Sequence, residues 1–376
     1  MTGEEIRAWA ETIEERIAGK MQTVVLRNRD IIPYTTENGR FEDLSKTNIN
    51  WWTNGFWGGM LWQLFVLTGE EIYREEAVLV EEKLDRVLTD WNGLDHDNGF
   101  KWLPTAVAHY RLDGNEASKN RGILAAGNLA GRFNLAGRFI RAWNDWGEMD
   151  RRGVAIIDCM MNLPLLYWAS EETGDPRFEQ IARAHADTAM QHFVREDGSV
   201  NHILRFDPFT GELLESLGGQ GYCTGSSWTR GQAWGLYGFV LSFLHTKDER
   251  YLGTARRIAN YFIANIPESG LIPVDFRQPA DISWEDSTAA AIAACGLIEL
   301  SRAVSGRDSD IYRNAAVRML EALAQKRVSW DPGTDYLLEK CTAAYHDAKH
   351  EFTIIYGDYY FLEAVMKLTG KELFIW

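Results

Sequence analysis

Cysteine is scarce in this chain, and its placement suggests neither a disulfide framework nor a metal site. Four cysteines occur in 376 residues, at Cys159, Cys223, Cys295 and Cys341, and no two of them form a Cys-x-x-Cys pair. Such isolated thiols are typical of reduced cysteines in a cytoplasmic protein. The chain also lacks an HExxH motif, an EF-hand loop and a His/Cys cluster, so we expect no metal and no other cofactor.

Basic residues and long apolar runs are lacking as well. The chain has 39 Lys and Arg against 54 Asp and Glu, for a formal net charge of −15. Nucleic acids and anionic membranes are bound through basic patches, so both are excluded as expected partners. No run is apolar enough to span a bilayer, and the charged N-terminus lacks the apolar core of a signal peptide. We therefore expect a cytoplasmic protein. We also expect it to be either a monomer or a small homo-oligomer.

Aromatic residues, in contrast, are abundant. The chain has 15 Trp, 14 Tyr and 17 Phe. Large rings commonly fill a core, but flat rings also suit the faces of sugars. We expect most of them in the core and a few at a binding site.

One kind of turn recurs along the chain. Each copy has Gly or a polar pair after an apolar-periodic segment, and most continue with an acidic residue, an aromatic residue and Ala. The copies are Thr68–Glu70, Asp113–Glu116, Thr173–Asp175, Thr246–Asp248, Ser305–Asp308 and Thr369–Lys371. Gly ends a helix in the left-handed conformation, and an acidic residue favours the start of the next helix. Six copies therefore predict six helical hairpins, or twelve helices.

Apolar spacing with a period of 3.6 residues supports that number. The predicted helices span 4–26, 52–68, 71–90, 100–112, 116–134, 154–172, 176–194, 229–245, 248–265, 285–304, 309–327 and 357–369. No long alternating pattern predicts a large sheet, although short strands in loops are compatible with the sequence.

The other ends of the hairpins have long connections rich in Trp, Gly, His and Asp. They span 27–51, 91–99, 135–153, 195–228, 266–284 and 328–356. Long loops in a compact domain are usually functional. We therefore predict an all-α fold, an (α/α)6 barrel in one domain over residues 1–376, with the long loops forming the active-site face. A straight solenoid is the alternative, but it does not require six units and usually has capping ends.

Asp158 is the strongest candidate for a chemical role. It interrupts the apolar segment Val154–Trp168, which we predict to be an inner helix. A buried carboxylate must be paired, protonated or turned towards a cleft. The alternatives are an ion pair with an Arg, or a carboxyl with a raised pKa that acts as a general acid or base.

Two further segments offer polar groups at the long-loop face. Asp97, in Leu94–Phe100, is either a helix N-cap or a second catalytic carboxylate, and Asp95 has the same ambiguity. The glycine-rich segment 218–221 runs into a helix on which Arg230 and Trp234 share one face, an arrangement suited to a sugar carboxylate. The segment lacks the Lys-Ser/Thr of a nucleotide-binding loop, and the chain has no GxSxG serine-hydrolase motif.

Other candidates are single residues in or beside the long loops. Trp52, Trp143, Trp146, His202, Tyr345 and His346 could contact a ligand or simply pack and hydrogen bond. Glu285, Asp286 and Asp358 begin predicted inner helices, where acidic residues often serve only as caps.

Five motifs together resemble the unsaturated glucuronyl hydrolases of glycoside hydrolase family 88. They are HDNGF (96–100), IIDCMMNLPLL (156–166), SSWTRGQAWGLYGF (226–239), WEDSTAAAIAACGL (284–297) and GDYYFLEA (357–364). The resemblance extends from Trp52 to Leu362. It implies an (α/α)6 barrel without a metal, acting on lyase-generated oligosaccharides that carry a 4,5-unsaturated uronic acid at the non-reducing end. The implied reaction is hydration of the vinyl ether, in which an Asp protonates C4, water adds at C5 and the resulting hemiketal opens.

The resemblance also implies roles for individual residues. Asp158 matches the family's general acid/base and Asp97 its second essential carboxylate. The positions that match residues lining the unsaturated sugar are Trp52, Trp143, His202, Gln220, Arg230 and Trp234. We expect glycosaminoglycan-type substrates. The alternatives are pectin-derived fragments, an inverting glycosidase or epimerase on the same barrel, and a sugar-binding barrel without activity.

Overall fold

The structure, a computed structural model, describes residues 2–376 and is mainly helical. The helices are α1 (Gly3–Arg27), α2 (Phe56–Thr68), α3 (Glu71–Leu88), α4 (Asn98–Trp102), α5 (Ala108–Asp113), α6 (Glu116–Ala130), α7 (Leu163–Thr173), α8 (Pro176–His192), α9 (Thr229–Thr246), α10 (Glu249–Ala264), α11 (Ser287–Ala303), α12 (Arg307–Lys326) and α13 (Ile355–Thr369). A π-helical segment, Leu103–Val107, joins α4 to α5, so the two form one helical rod.

Six of these helical units form an inner ring. In order around the ring they are α2, the α4–α5 rod, α7, α9, α11 and α13; each contacts the next, and α13 contacts α2. The other six, α1, α3, α6, α8, α10 and α12, alternate with them along the chain and pack outside. Inner helices such as α9 and α11 are buried almost all round, whereas outer helices such as α10 bury only one apolar stripe. The predicted all-α (α/α)6 fold is confirmed.

Five of the predicted tight turns connect an inner helix to the following outer one, and the sixth, at Gly370, ends α13. Gly69, Gly114, Gly174 and Gly370 end their helices with φ between 67° and 74°, in the left-handed region that glycine tolerates best. Lys247 occupies the equivalent position with φ 55°. At the turn after α11 the helix ends in extended backbone at Val304, and Gly306 directly precedes α12.

Short antiparallel strands occupy the long connections. They are β1 (Thr36–Glu37) with β2 (Arg40–Phe41), β3 (Phe133–Asn134) with β4 (Phe139–Ile140), and the three-stranded sheet of β5 (Val154–Ile156), β6 (Ile203–Phe206) and β7 (Leu213–Leu217). In that sheet Val154 pairs with Arg205 and Ile156 with Ile203.

The predicted helix over 154–172 is therefore wrong in its first part. Residues 154–156 form β5, residues Ile157–Met161 form a 3₁₀ turn, and α7 begins only at Leu163. β-branched side chains suit the pairing with β6, and Pro164 favours a helix start because its missing N–H is not needed in a first turn. Asp158 thus lies on a 3₁₀ turn directly ahead of an inner helix, not in the middle of one.

The main hydrophobic core is one connected cluster of side chains, whose first member in the sequence is Ala10 and whose last is Trp376. The last residues close the tight-turn end of the barrel, where Arg111 donates to the carbonyls of Phe374 and Ile375. The Trp376 ring is fully buried and stacks on Tyr360 with 5.8 Å between centroids and 11° between planes. Among residues 2–376, no helix is long and apolar enough to cross a membrane.

Candidate active site

The N-terminal ends of the inner helices meet at the long-loop face. Trp52 precedes α2, Asp97 precedes α4, Asp158 lies ahead of α7, and Arg230 is in the first turn of α9. The partial positive charge at a helix N-terminus favours anions. This end of the barrel is therefore suited to an acidic ligand despite the net negative charge of the chain.

Asp158 has an unpaired, largely buried carboxyl group. Its side chain is 16 % exposed, and its Oδ1 accepts no hydrogen bond from the protein. No Arg or Lys of residues 2–376 forms a salt bridge with it, so the structure does not support the ion-pair alternative. Burial raises its pKa to about 7, although the positive charge of Arg230 opposes that shift. A carboxyl with this pKa can donate a proton near neutral pH.

His202 is a neutral hydrogen-bond donor facing Asp158. Its Nδ1 accepts a hydrogen bond from the backbone N–H of Gln220 at 3.0 Å, which places the ring proton on Nε2. That Nε2 lies 3.8 Å from Oδ1 of Asp158. Burial lowers the pKa of His202 to about 3, so the ring stays uncharged, and it packs on Trp228 with 4.2 Å between centroids.

Asp97 is connected to Asp158 through Asn162. The Asn162 side-chain N–H₂ donates to Oδ1 of Asp97 at 3.2 Å and to the backbone carbonyl of Asp158 at 3.3 Å. The side-chain carbonyl of Asn162 in turn accepts the Phe100 backbone N–H at 2.9 Å. Asp97 occupies the N-cap position of α4, but its side chain caps no backbone N–H. The structure therefore does not support a simple capping role.

The environment of Asp97 disfavours its charged form. Burial, followed by the negative charges of Asp95 and Asp158, holds the pKa of Asp97 well above its ordinary value. Because the negative charge of Asp158 disfavours ionisation of Asp97, protonation of the two carboxyls is linked.

Arg230 is almost completely buried and already has protein partners. Its Nη1 lies 3.0 Å from Oδ2 of Asp286 and donates to the Thr342 carbonyl at 2.8 Å, while Nη2 donates to the Ala343 carbonyl at 2.5 Å. Gln220 also donates to the Ala343 carbonyl, at 2.7 Å. Arg230 and Gln220 thus hold the last long loop against α9, and Nε of Arg230 is left without a protein partner. Asp286 caps α11 and also pairs with Arg230, so it has both a structural and an electrostatic role.

The predicted aromatic residues occupy different depths. Trp52 is half-buried and lies 5.0 Å from Tyr356, whereas Trp234 is fully buried beneath the site, 5.1 Å from Phe100. Trp143 is half-buried beside the sheet that leads to Asp158, with its ring 6.3 Å from that of Trp146.

The last loop contributes Tyr345 and His346. The buried Tyr345 ring lies edge-on to Trp284 at 5.2 Å, and its backbone N–H donates to the Gln220 carbonyl at 2.9 Å. His346 is exposed, with Nε2 2.8 Å from the Tyr222 carbonyl. The sequence predicted no role for Asn162, Trp228 or Tyr356. Asn162 could have been found from sequence, because it is a polar residue in an otherwise apolar segment.

The site therefore contains two carboxyl groups with raised pKa values, a neutral imidazole and aromatic rings. Among residues 2–376, no group of three or more His, Cys, Asp or Glu side chains is placed to hold a metal ion.

Comparisons with known proteins identify the family. No family model matches the chain. It is 38 % identical over 326 residues to the unsaturated glucuronyl hydrolase of Bacillus sp. strain GL1, covering 84 % of this chain and 86 % of that protein. It is 35 % identical over 323 residues to the unsaturated chondroitin disaccharide hydrolase of Streptococcus pneumoniae, covering 84 % and 81 %. The solved structure of the Streptococcus agalactiae unsaturated glucuronyl hydrolase matches with a TM-score of 0.90 at 30 % identity, covering 100 % of this chain and 94 % of that one. The chain belongs to the unsaturated glucuronyl hydrolase family of glycoside hydrolases.

Proposed function

We propose that this chain releases 4,5-unsaturated uronic acid from the non-reducing end of glycosaminoglycan-type oligosaccharides. Family membership supports this activity, and a mutant of the Streptococcus agalactiae relative has been solved in complex with dGlcA-GalNAc6S. The observation that carries the proposal is Asp158, a largely buried carboxyl with no protein partner at Oδ1 and a pKa of about 7.

The proposed reaction begins with proton transfer from Asp158 to C4 of the unsaturated sugar. The electron pair of the C4=C5 bond forms the new C4–H bond, and the ring oxygen stabilises the positive charge that develops at C5. Water adds to C5 and returns a proton to the Asp158 carboxylate. The hemiketal then opens to a ketone at C5, and the hemiacetal left at C1 releases the adjoining sugar.

The neighbouring groups have distinct proposed roles. Asp97 is the second catalytic carboxyl, coupled to Asp158 by the shared Asn162 contacts. His202 directs its Nε2–H towards Asp158 and the sugar. Arg230, with the helix N-termini around it, supplies the positive field for the uronate carboxylate.

Aromatic and loop residues complete the proposed substrate site. Trp52 and Trp143 offer half-buried rings to the sugar, and Trp234 supports the floor of the site from below. Gln220, Tyr345 and His346 belong to the loops that border it.

The broader assignments are also proposals. The four unpaired cysteines support a cytoplasmic location, since free thiols persist in reducing compartments. The continuous core supports a single domain over residues 1–376. We propose a monomer or a small homo-oligomer that binds unsaturated uronyl oligosaccharides.

A panel of unsaturated disaccharides tests the proposal. The protein is incubated with chondroitin, hyaluronan, heparin and rhamnogalacturonan disaccharides, and the near-UV absorbance of the C4=C5 bond is followed. We expect loss of absorbance with at least one glycosaminoglycan disaccharide and none with the Asp158→Asn variant. Asp207→Asn, on an exposed turn outside the site, is the matched control and should retain wild-type turnover. No loss with any substrate would refute the activity, and loss with rhamnogalacturonan alone would favour the pectin alternative.

A further inference from the structure

Asp95 and Lys101 lie beside the two candidate catalytic carboxyls but have no part in the mechanism described so far. We propose that they form a positioning ion pair that sets the charge balance of Asp97, the candidate partner of Asp158. This inference rests on the proposed function of the same site.

One carboxylate oxygen of Asp95 contacts both the backbone of Asp97 and the side chain of Lys101. Oδ1 of Asp95 accepts the backbone N–H of Asp97 at 2.9 Å. The same Oδ1 lies 3.5 Å from Nζ of Lys101. The Lys101 backbone N–H donates to the Asp97 carbonyl at 3.3 Å, so Lys101 lies in the first turn of the helix that Asp97 begins.

Lys101 is a fully buried cation, with 0 % of its surface exposed. Lysine is almost never fully buried unless it is paired, because removing an ammonium group from water is costly. Among residues 2–376, Asp95 is the one carboxylate within salt-bridge distance of Lys101, and the contact is long for an ion pair. Asp95 therefore neutralises Lys101 only in part, and the remaining positive field reaches Asp97.

Lys101 is the main charged group that favours ionisation of Asp97. Asp95 and Asp158 both disfavour ionisation of Asp97, and Lys101 favours it. The buried His96 is uncharged because burial lowers its pKa to about 4. Arg132 also faces this side, but its side chain donates to backbone carbonyls and to Asn144. The titratable and polar groups facing Asp97 are Asp95, His96, Lys101, Arg132, Asp158, Cys159 and Asn162.

Two substitutions should move the pH dependence of turnover in opposite directions. Lys101→Met removes a positive charge, which raises the pKa of Asp97 and shifts the pH optimum of kcat/KM upward. Asp95→Asn removes a negative charge, keeps an oxygen for the Asp97 N–H and shifts the optimum downward. Both charges act on a buried carboxyl, where solvent screens them little, so both shifts should be measurable. The double variant should lie near wild type.

A remote, part-exposed Lys–carboxylate pair is the control. Lys119 and Glu172 lie 2.8 Å apart near the tight-turn end of the barrel, and Lys119→Met and Glu172→Gln should leave the optimum unchanged. A purely structural role for the Asp95–Lys101 pair predicts lower activity or stability with an unmoved optimum. That result, or shifts in the same direction for both variants, would overturn the inference.

A titration that needs no turnover separates this inference from the proposed function. Carbon-13 NMR of the Asp97 carboxyl should show a higher pKa in Lys101→Met and a lower one in Asp95→Asn. If wild type degrades none of the disaccharides, the proposed function fails while the NMR titration still decides on the ion pair. If Asp95→Asn, which leaves the buried Lys101 without its carboxylate, does not fold, Lys101→Met decides alone, because methionine fills a similar volume without a buried charge.

Discussion

The Asp158→Asn variant should gain stability while losing activity. Burial raises the pKa of Asp158 from 3.8 to about 7 in the folded protein, so the folded state holds this proton to higher pH than the unfolded chain does. The resulting stabilisation is fully present below about pH 4 and is lost progressively as the pH rises to about 7. Asparagine carries no titratable proton and removes this dependence.

The size of the effect follows from the pKa. A rise from 3.8 to about 7 corresponds to about 4 kcal/mol lost once the carboxyl is ionised in both states. Between pH 5 and pH 8, the free energy of unfolding of the variant relative to wild type should therefore rise by about 2.5 kcal/mol. Turnover should fall by about 100-fold or more, the usual contribution of a general acid.

Urea unfolding of both proteins at pH 5 and pH 8 measures the stability difference, and the disaccharide assay measures turnover. Asp207→Asn again serves as the control, since its side chain lies outside the site. A stability difference that does not change with pH would show that Asp158 ionises as an ordinary carboxyl, and the argument for it as proton donor would fail.

Further predictions concern the neighbouring groups. The kcat/KM of wild type should decline as the pH rises through about 7, because Asp158 loses its proton; a flat profile across that range would contradict its role. Asp97→Asn should fold and lose about 100-fold or more in kcat, and wild-type turnover would remove it from the mechanism. Arg230→Ala should raise KM and, by leaving the buried Asp286 unpaired, lower the free energy of unfolding by about 3–5 kcal/mol; an unchanged KM would count against a role in binding. Trp376→Ala should cost about 3–5 kcal/mol with the site intact, measured by thermal unfolding, and a small loss would show that the tail does not support the barrel.

The helical repeat could be predicted because its signals are local. Each tight turn depends on a few adjacent residues, such as Gly174 followed by Asp175, which caps α8 by accepting the Arg177 N–H. The alternation of inner and outer helices likewise follows from apolar periodicity within each segment.

The setting of Asp158 could not be predicted in the same way. Residues 154–156 form a strand because β6, almost fifty residues later in the chain, pairs with them. An apolar segment read alone fits a buried helix as well as a buried strand. The unusual burial of Asp158 could be inferred from sequence, but the 3₁₀ turn that presents it could not.

The partners of the other site residues are also distant in sequence. Arg230 meets Asp286 and the carbonyls of residues 342 and 343, and Asn162 meets Asp97. Sequence motifs placed Arg230 and Asp97 at the correct face, but only the folded chain shows that the guanidinium group also anchors the last loop.

The stoichiometry of one reaction tests the central claim most directly. Wild type is incubated with an unsaturated chondroitin disaccharide, and the loss of near-UV absorbance and the release of the adjoining sugar are measured in the same sample. Protonation of the C4=C5 bond by Asp158 predicts one double bond lost for each sugar released, and neither event with Asp158→Asn. Release of the sugar ahead of the loss of absorbance would show direct displacement at the anomeric carbon and would contradict the account.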